Sequence, residues 1–182
     1  MKQFLFQLAL CLLALGSFAQ DSLNKVVIYD LKDDIDQSSV RITLKAIAKA
    51  EEIDAKFIIV HMNTYGGLLD QADEVRYALL NTNIPTSVFI DNNAASAGSL
   101  ISLACDSIYM RKGGNIGAST VVNFDGTRAL DKYQSYMRKQ MRSTAESNGK
   151  ITKVIKVLII DIKLMILKKS YKVKLEGNGF LL

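Results

Sequence analysis

Ser96 lies in Asn92-Asn93-Ala94-Ala95-Ser96-Ala97-Gly98-Ser99, between the apolar run Thr86–Ile90 and the apolar segment Leu100–Ala104. The run reads as a buried strand and the segment as a helix. Small neighbours let a substrate carbonyl approach the main chain. The first amides of a helix lack intrahelical partners, so a nucleophile at this junction has donors beside it for a developing oxyanion. The plainer reading is that Ser96 or Ser99 only caps the helix. A second junction, Asn63-Thr64-Tyr65-Gly66-Gly67, stands one strand–helix unit upstream. Parallel neighbouring strands place both junctions at one carboxyl edge of a sheet, where α/β folds bind ligands. Gly66, Gly67 and Ala97 are then the candidate oxyanion and substrate-binding residues, with the Gly67 and Ala97 amides as donors. Gly66-Gly67 as a mere tight turn is the competing reading.

A serine nucleophile needs a base. His61 is the only histidine, and it falls inside a predicted strand, where a packed core residue is expected. No histidine follows Ser96, so a triad in the order Ser-His-Asp is excluded. A lysine serves when a dry pocket lowers its pKa. Lys132 and Lys139 lie two turns apart on a predicted polar helix, Asp131–Asn148, with Arg142 a turn further on. Arginine stays protonated and is a poor base. Solvated helix charges are the bland alternative for all three. Cys105 sits on an apolar face and reads as core. Without a Cys/His cluster no metal site is expected, and nothing calls for a cofactor.

The elements that must position these residues alternate regularly. Strands are predicted at Val26–Tyr29, Phe57–His61, Thr86–Ile90 and Ser107–Met110 from apolar, β-branched runs. Helices are predicted at Val40–Ile53, capped by Ser38 or Ser39, and at Leu68–Leu80. A further helix, Asp131–Asn148, has Tyr133, Tyr136, Met137 and Met141 as its apolar positions, and Gly113–Gly117 reads as a loop. The alternation predicts an α/β layer fold with parallel strands and right-handed crossovers.

The chain of 182 residues suits one domain. Lys2, the apolar run Phe4–Leu15 and Ser17-Phe18-Ala19 form a secretory signal peptide, so residues 1–20 are expected to be removed on export. The domain then covers 21–150, and 151–182 is an atypical Ile/Lys-rich tail. Residues 150–182 carry eight lysines against Asp161 and Glu176, which accounts for the net charge of +5. The basic balance therefore belongs to the tail and is no sign of a nucleic-acid-binding domain. Asp161 and Lys163 break the tail's apolar run, which argues against a membrane span and leaves a basic helix on a membrane surface as a reading.

Asn63-Thr64-Tyr65-Gly66-Gly67, the Ser96 stretch, Asp106–Met110 and Asn115-Ile116-Gly117-Ala118 occur in an order that resembles the membrane-bound ClpP-class serine proteases of the NfeD group. The resemblance covers roughly residues 24–149. It implies a ClpP/crotonase-like fold of repeated β-β-α units, assembled as a homo-oligomer. It also implies a Ser-Lys dyad endopeptidase facing outside the cytoplasmic membrane and cutting apolar segments of membrane-associated proteins, stomatin-like partners among them. Ser96 matches the family's nucleophile, and Gly66 and Gly67 match its oxyanion loop. Tyr65 departs from a common proline. Arg142 stands where some relatives carry the base, which leaves Lys139 as the base, with Lys132 as the alternative. Beyond residue 150 the family's usual continuation is not recognisable, and the tail reads as a truncation or frameshift. Two other functions follow from the same features. One is a catalytically inactive fragment or binding module with this fold. The other is a crotonase-type acyl-CoA enzyme, against which the export signal argues.

Overall fold

The computed structural model describes residues 25–123 and 125–148. The expected signal peptide at 1–20 and tail at 151–182 lie outside the described residues. Five strands and four helices follow in the order β1 (Val26–Leu31), α1 (Gln37–Glu52), β2 (Phe57–Thr64), α2 (Leu69–Asn81), β3 (Thr86–Ala95), α3 (Ala97–Ala104), β4 (Ser107–Met110), β5 (Asn115–Gly117) and α4 (Asp131–Ser147). The sheet order is β1-β2-β3-β4, and every pairing among these strands is parallel. A helix between successive parallel strands is what a crossover requires.

The apolar strands are continuous because side chains are buried on both sheet faces. Val27, Tyr29, Leu31, Ile58, Val60, Met62, Val88 and Ile90 point towards the helices. Val40 and Ala46 of α1, Ala72, Val75 and Leu79 of α2, and Leu100 and Ile101 of α3 close over them. Val26, Ile28, Ile59 and Phe89 form a second buried cluster on the other face. Cys105 is fully buried, as its apolar setting predicts. Among the described residues no helix is long and apolar enough to cross a membrane.

Four local expectations are corrected. Helix α1 begins at Gln37, and its cap is Asp36 rather than Ser38 or Ser39. Asp36 Oδ1 accepts from the amides of Ser38 (2.7 Å) and Ser39 (3.1 Å), while Ser39 Oγ accepts from the Asp36 amide (3.3 Å). The earlier carboxylate satisfies two orphan amides at once, so the helix starts a turn sooner. Strands β2 and β3 run past His61 and Ile90 to Thr64 and Ala95. Their polar ends stay extended because Thr64 pairs with Ala94 beyond a bulge, and the Asn93 amide donates to Asn63 Oδ1 (3.1 Å). The Gly113–Gly117 stretch contains a strand, β5, aligned with Asn93–Ala95.

On α4 the inward face is Gln134, Met137, Gln140 and Thr144, with Met141 packed beside them, whereas Tyr133 and Tyr136 are exposed. Gln134 is satisfied at both ends of its amide, and Gln140 at its nitrogen. Gln134 Nε2 donates to the carbonyls of Val121 (2.6 Å) and Ala129 (3.1 Å), and its Oε1 accepts from the Val121 amide (3.0 Å). Gln140 Nε2 donates to Asp73 Oδ1 (2.5 Å). On the exposed face the tyrosine hydroxyls reach water.

Candidate active site

Strand β3 delivers the chain to Ser96, which caps α3 with φ +48° and ψ −113°. Few side-chain-bearing residues adopt such a conformation, and it costs about 1–3 kcal/mol unless the surroundings hold it. They do so from both sides of the residue. The Ser96 amide donates to the Gly117 carbonyl (2.7 Å), and the Ser96 carbonyl accepts from the amides of Ser99 (3.0 Å) and Leu100 (3.4 Å). It also accepts from Ser99 Oγ at 2.6 Å. The Ser96 side chain makes no capping hydrogen bond. The two serines that the sequence offered as alternative helix caps differ: Ser99 is buried and committed to the main chain, whereas Ser96 is half-buried with its hydroxyl uncommitted among the described residues.

The second junction meets the first at Gly66. Its φ is +128°, and a Cβ there would stand 2.8 Å from Ser96 Cβ and 3.4 Å from Ser96 Oγ. Only glycine lets the two segments approach this closely. Thr64 Oγ1 closes the turn, donating to the Gly66 carbonyl and accepting from the Gly66 amide, both at 3.1 Å. From the other side, the Ile35 amide donates to the Gly66 carbonyl and the Leu68 amide donates to the Ile35 carbonyl, each at 2.8 Å. Gly67, at φ +153°, lies so close to the Ile35 main chain that a side chain would collide with it. Among the described residues neither the Gly67 nor the Ala97 amide donates a hydrogen bond. Two main-chain donors are thus available at the two junctions that Gly66 and Ser96 bring together.

Lys132, Lys139 and Arg142 are all exposed on α4. Lys132 Nζ lies 5.0 Å from the centroid of the Tyr133 ring. Among the described residues no hydrogen bond links any of the three to Ser96. Helix α4 itself is firmly attached to the helices around the site. Asp73 accepts from Arg76 Nε (2.6 Å) as well as from Gln140, and Asn148 Nδ2 donates to the carbonyls of Leu103 (2.9 Å) and Ala104 (2.8 Å).

His61 is not packed in apolar surroundings as expected. It is half-buried on the sheet face opposite the helices, with Nδ1 2.8 Å from Asp30 Oδ1 and Nε2 3.8 Å from Asp91 Oδ2. The parallel register sets Asp30 opposite His61, Asp91 follows two residues after Phe89, the β3 residue opposite His61, and Lys32 and Arg111 flank the carboxylates. A hydrogen bond between the imidazole and the Asp30 carboxylate accounts for the histidine's place on this face. Among the described residues no cluster of His, Cys, Asp and Glu is arranged to hold a metal ion. Elsewhere, burial under α1 pushes the Tyr29 phenol far above its ordinary range. Hydrogen bonds from Thr127 hold the Asp125 carboxyl below its ordinary range.

Sequence reasoning missed Thr64, Ile35, Gly117 and Ser119. Thr64 stood in the quoted glycine motif, and Gly117 in the motif that follows β4. Nothing in the local pattern marked Ile35 or Ser119, whose parts depend on contacts distant in the chain.

The family described as NfeD1b, N-terminal domain, matches residues 25–172. The match extends beyond residue 150, where the tail's composition changes. The chain is 29% identical over 141 residues to the membrane protein NfeD1b of Bacillus subtilis, covering 78% of this chain and 32% of that protein. It is 29% identical over 164 residues to the membrane-bound protease PH1510 of Pyrococcus horikoshii, covering 73% of this chain and 37% of that one. The chain thus spans about a third of the length of these relatives. Among solved structures, it resembles a lysine-to-alanine mutant of the 1510-N membrane-bound stomatin-specific protease in complex with a substrate peptide. That likeness has a TM-score of 0.70 at 25% identity and covers 88% of each chain. ClpP1 of Listeria monocytogenes shares the fold, with a TM-score of 0.55 at 17% identity over 78% of this chain and 86% of that one. The parallel sheet with its covering helices is therefore a ClpP-like fold, and the chain belongs to the NfeD1b N-terminal-domain family.

Proposed function

We propose that this chain is a serine endopeptidase of the ClpP class, exported and membrane-associated, facing away from the cytoplasm. The observation that carries the reading is Ser96: a strained strand-to-helix junction, an uncommitted hydroxyl, and Gly66 packed against it. Ser96 Oγ attacks the scissile carbonyl. Lys139 accepts its proton, with Lys132 as the alternative base. The Gly67 and Ala97 amides hold the oxyanion, the lysine hands the proton to the nitrogen of the leaving amine, and water, giving its proton to the same lysine, hydrolyses the acyl-enzyme and returns Ser96 to its hydroxyl form. Both lysines are exposed, so the dry setting a lysine base needs must come from bound peptide or from a second copy of the chain. A homo-oligomer is part of the proposal for this reason.

The substrate we infer is an apolar segment of a membrane-associated protein, including stomatin-like proteins. Tyr65 is 77% exposed and Leu68 is 42% exposed on either side of Gly66-Gly67, which offers an extended apolar peptide contact beside the serine. The description of 1510-N as stomatin-specific, and of relatives as membrane proteins, supports the same assignment.

The test is fluorophosphonate labelling of the full chain, with the modified residue located by mass spectrometry. Labelling at Ser96 that disappears in Ser96→Ala supports the peptidase. A folded chain that never labels overturns it and leaves the binding-module reading, which the exposed position of the lysines favours.

A further inference from the structure

We infer that Ser119, acting through Ser99, is a positioning residue that aims the Ala97 amide, an inference that rests on the reading of Ser96 as the nucleophile. Ser99 is 1% exposed, and its Oγ lies 2.6 Å from the Ser96 carbonyl oxygen and 2.6 Å from Ser119 Oγ. A hydroxyl has one hydrogen and a carbonyl can only accept. The Ser99 hydrogen therefore goes to the Ser96 carbonyl, and Ser119 donates to Ser99 Oγ. The order is fixed: Ser119 to Ser99 to the Ser96 carbonyl.

The Ser96 carbonyl and the Ala97 amide belong to the same planar peptide unit. Any rotation that relaxes the strained Ser96 ψ swings that carbonyl off Ser99 Oγ and turns the Ala97 N–H by the same angle. The hydroxyl at 2.6 Å is the shortest contact on this carbonyl; the Ser99 and Leu100 amides lie at 3.0 and 3.4 Å. The other end of Ser96 is tied to the same segment, since its amide donates to the Gly117 carbonyl, two residues before Ser119. Gly117 (φ +136°) and Ala118 (φ +53°) bend that segment so that its carbonyl and its serine both reach the junction. One short stretch, from Gly117 at the end of β5 to Ser119, thus holds both main-chain groups of Ser96 and, through the shared peptide plane, the donor expected to meet the oxyanion.

The test uses the full chain with Ser99→Ala, Ser119→Ala, Ser119→Thr and the double alanine variant, each checked by thermal melting. Ser119 is half-buried, so its variants remain usable where Ser99→Ala does not fold. Misaiming an oxyanion donor is expected to slow fluorophosphonate labelling about 10- to 100-fold in Ser119→Ala. Peptide turnover should lose kcat with KM unchanged, and Ser119→Thr should restore it by returning the hydroxyl. The double variant should be no slower than Ser99→Ala, because Ser119 acts only through Ser99. Additive losses, or an unaltered rate in Ser119→Ala, would overturn the inference. Nitrogen-15 NMR reads the Ala97 amide without any activity. Its resonance should move in Ser119→Ala and return in Ser119→Thr. An unmoved resonance overturns the positioning role even in a chain that never labels, whereas a moved resonance in such a chain sustains it and discards only the peptidase.

Discussion

Ser96 keeps a backbone conformation that a glycine would adopt without strain, although its neighbourhood offers small residues on every side. The strain is tolerable because its amide and carbonyl are both tied down. Replacing the side chain separates stability from chemistry. Ser96→Gly should raise stability by about 1 kcal/mol while abolishing labelling, because it removes the Cβ penalty together with the nucleophile. Ser96→Ala keeps the penalty and should melt close to the parent chain. Calorimetry on both variants decides the point, and equal melting of Ser96→Gly and Ser96→Ala would mean that no strain is stored there. Gly66→Ala acts from the opposite segment. Its Cβ would press on Ser96 at 2.8 Å and adopt φ +128°, so it should cost about 1–3 kcal/mol and eliminate labelling. Labelling at the parent rate in a folded Gly66→Ala chain would mean that the two junctions are not in contact.

Helix α4 illustrates how an element can be positioned by polar rather than apolar contacts. Gln134 clasps the main chain of Val121 and Ala129, so the preceding turn and the start of α4 move as one body. Gln140 and Thr144 bring the middle of the helix to Asp73 and Arg76 of α2. Gln134→Ala takes the partner from the Val121 amide and the Ala129 carbonyl, while the Val121 carbonyl keeps the Ala129 amide. It should cost about 2–3 kcal/mol. Hydrogen exchange should accelerate at Val121 and in the following turn while β1 to β3 keep their protection. Uniform loss of protection across the sheet would instead make Gln134 part of the global core. The candidate lysines ride on the outer face of this same helix, so whatever fixes α4 also fixes how far Lys139 stands from Ser96.

At the scale of the whole molecule, the parallel order β1-β2-β3-β4 brings Ile35, Gly66, Ser96 and Gly117 together at the carboxyl ends of the strands. Four separate stretches of chain are needed for the serine junction, and none of them supplies a buried base. If a second copy completes the site, specific activity should rise with protein concentration over the range in which sedimentation shows self-association. Lys139→Ala should then abolish activity, while Lys132→Ala leaves most of it. Constant specific activity across a monodisperse monomer would exclude completion by a second copy.

The sequence alone carried the information that local chemistry controls. Apolar runs marked where each of the first four strands begins, and Ser107–Met110 matches β4 at both ends. Helical spacing located α2 and α4 to within a residue or two, and the glycine and serine junctions were visible as strings of small residues. What the sequence left open were choices settled by partners distant in the chain. The strand Asn115–Gly117 is too short to show any period and exists because the end of β3 offers it a ladder. Glutamines line the inner face of α4 because Val121, Ala129 and Asp73 supply hydrogen-bond partners for their amides. The string of small residues left open whether Ser96 or Ser99 capped the helix. Tertiary structure separated them, since Ser119 and the main chain occupy the hydroxyl of Ser99 and the close approach of Gly66 sets Ser96 at the meeting point of two junctions.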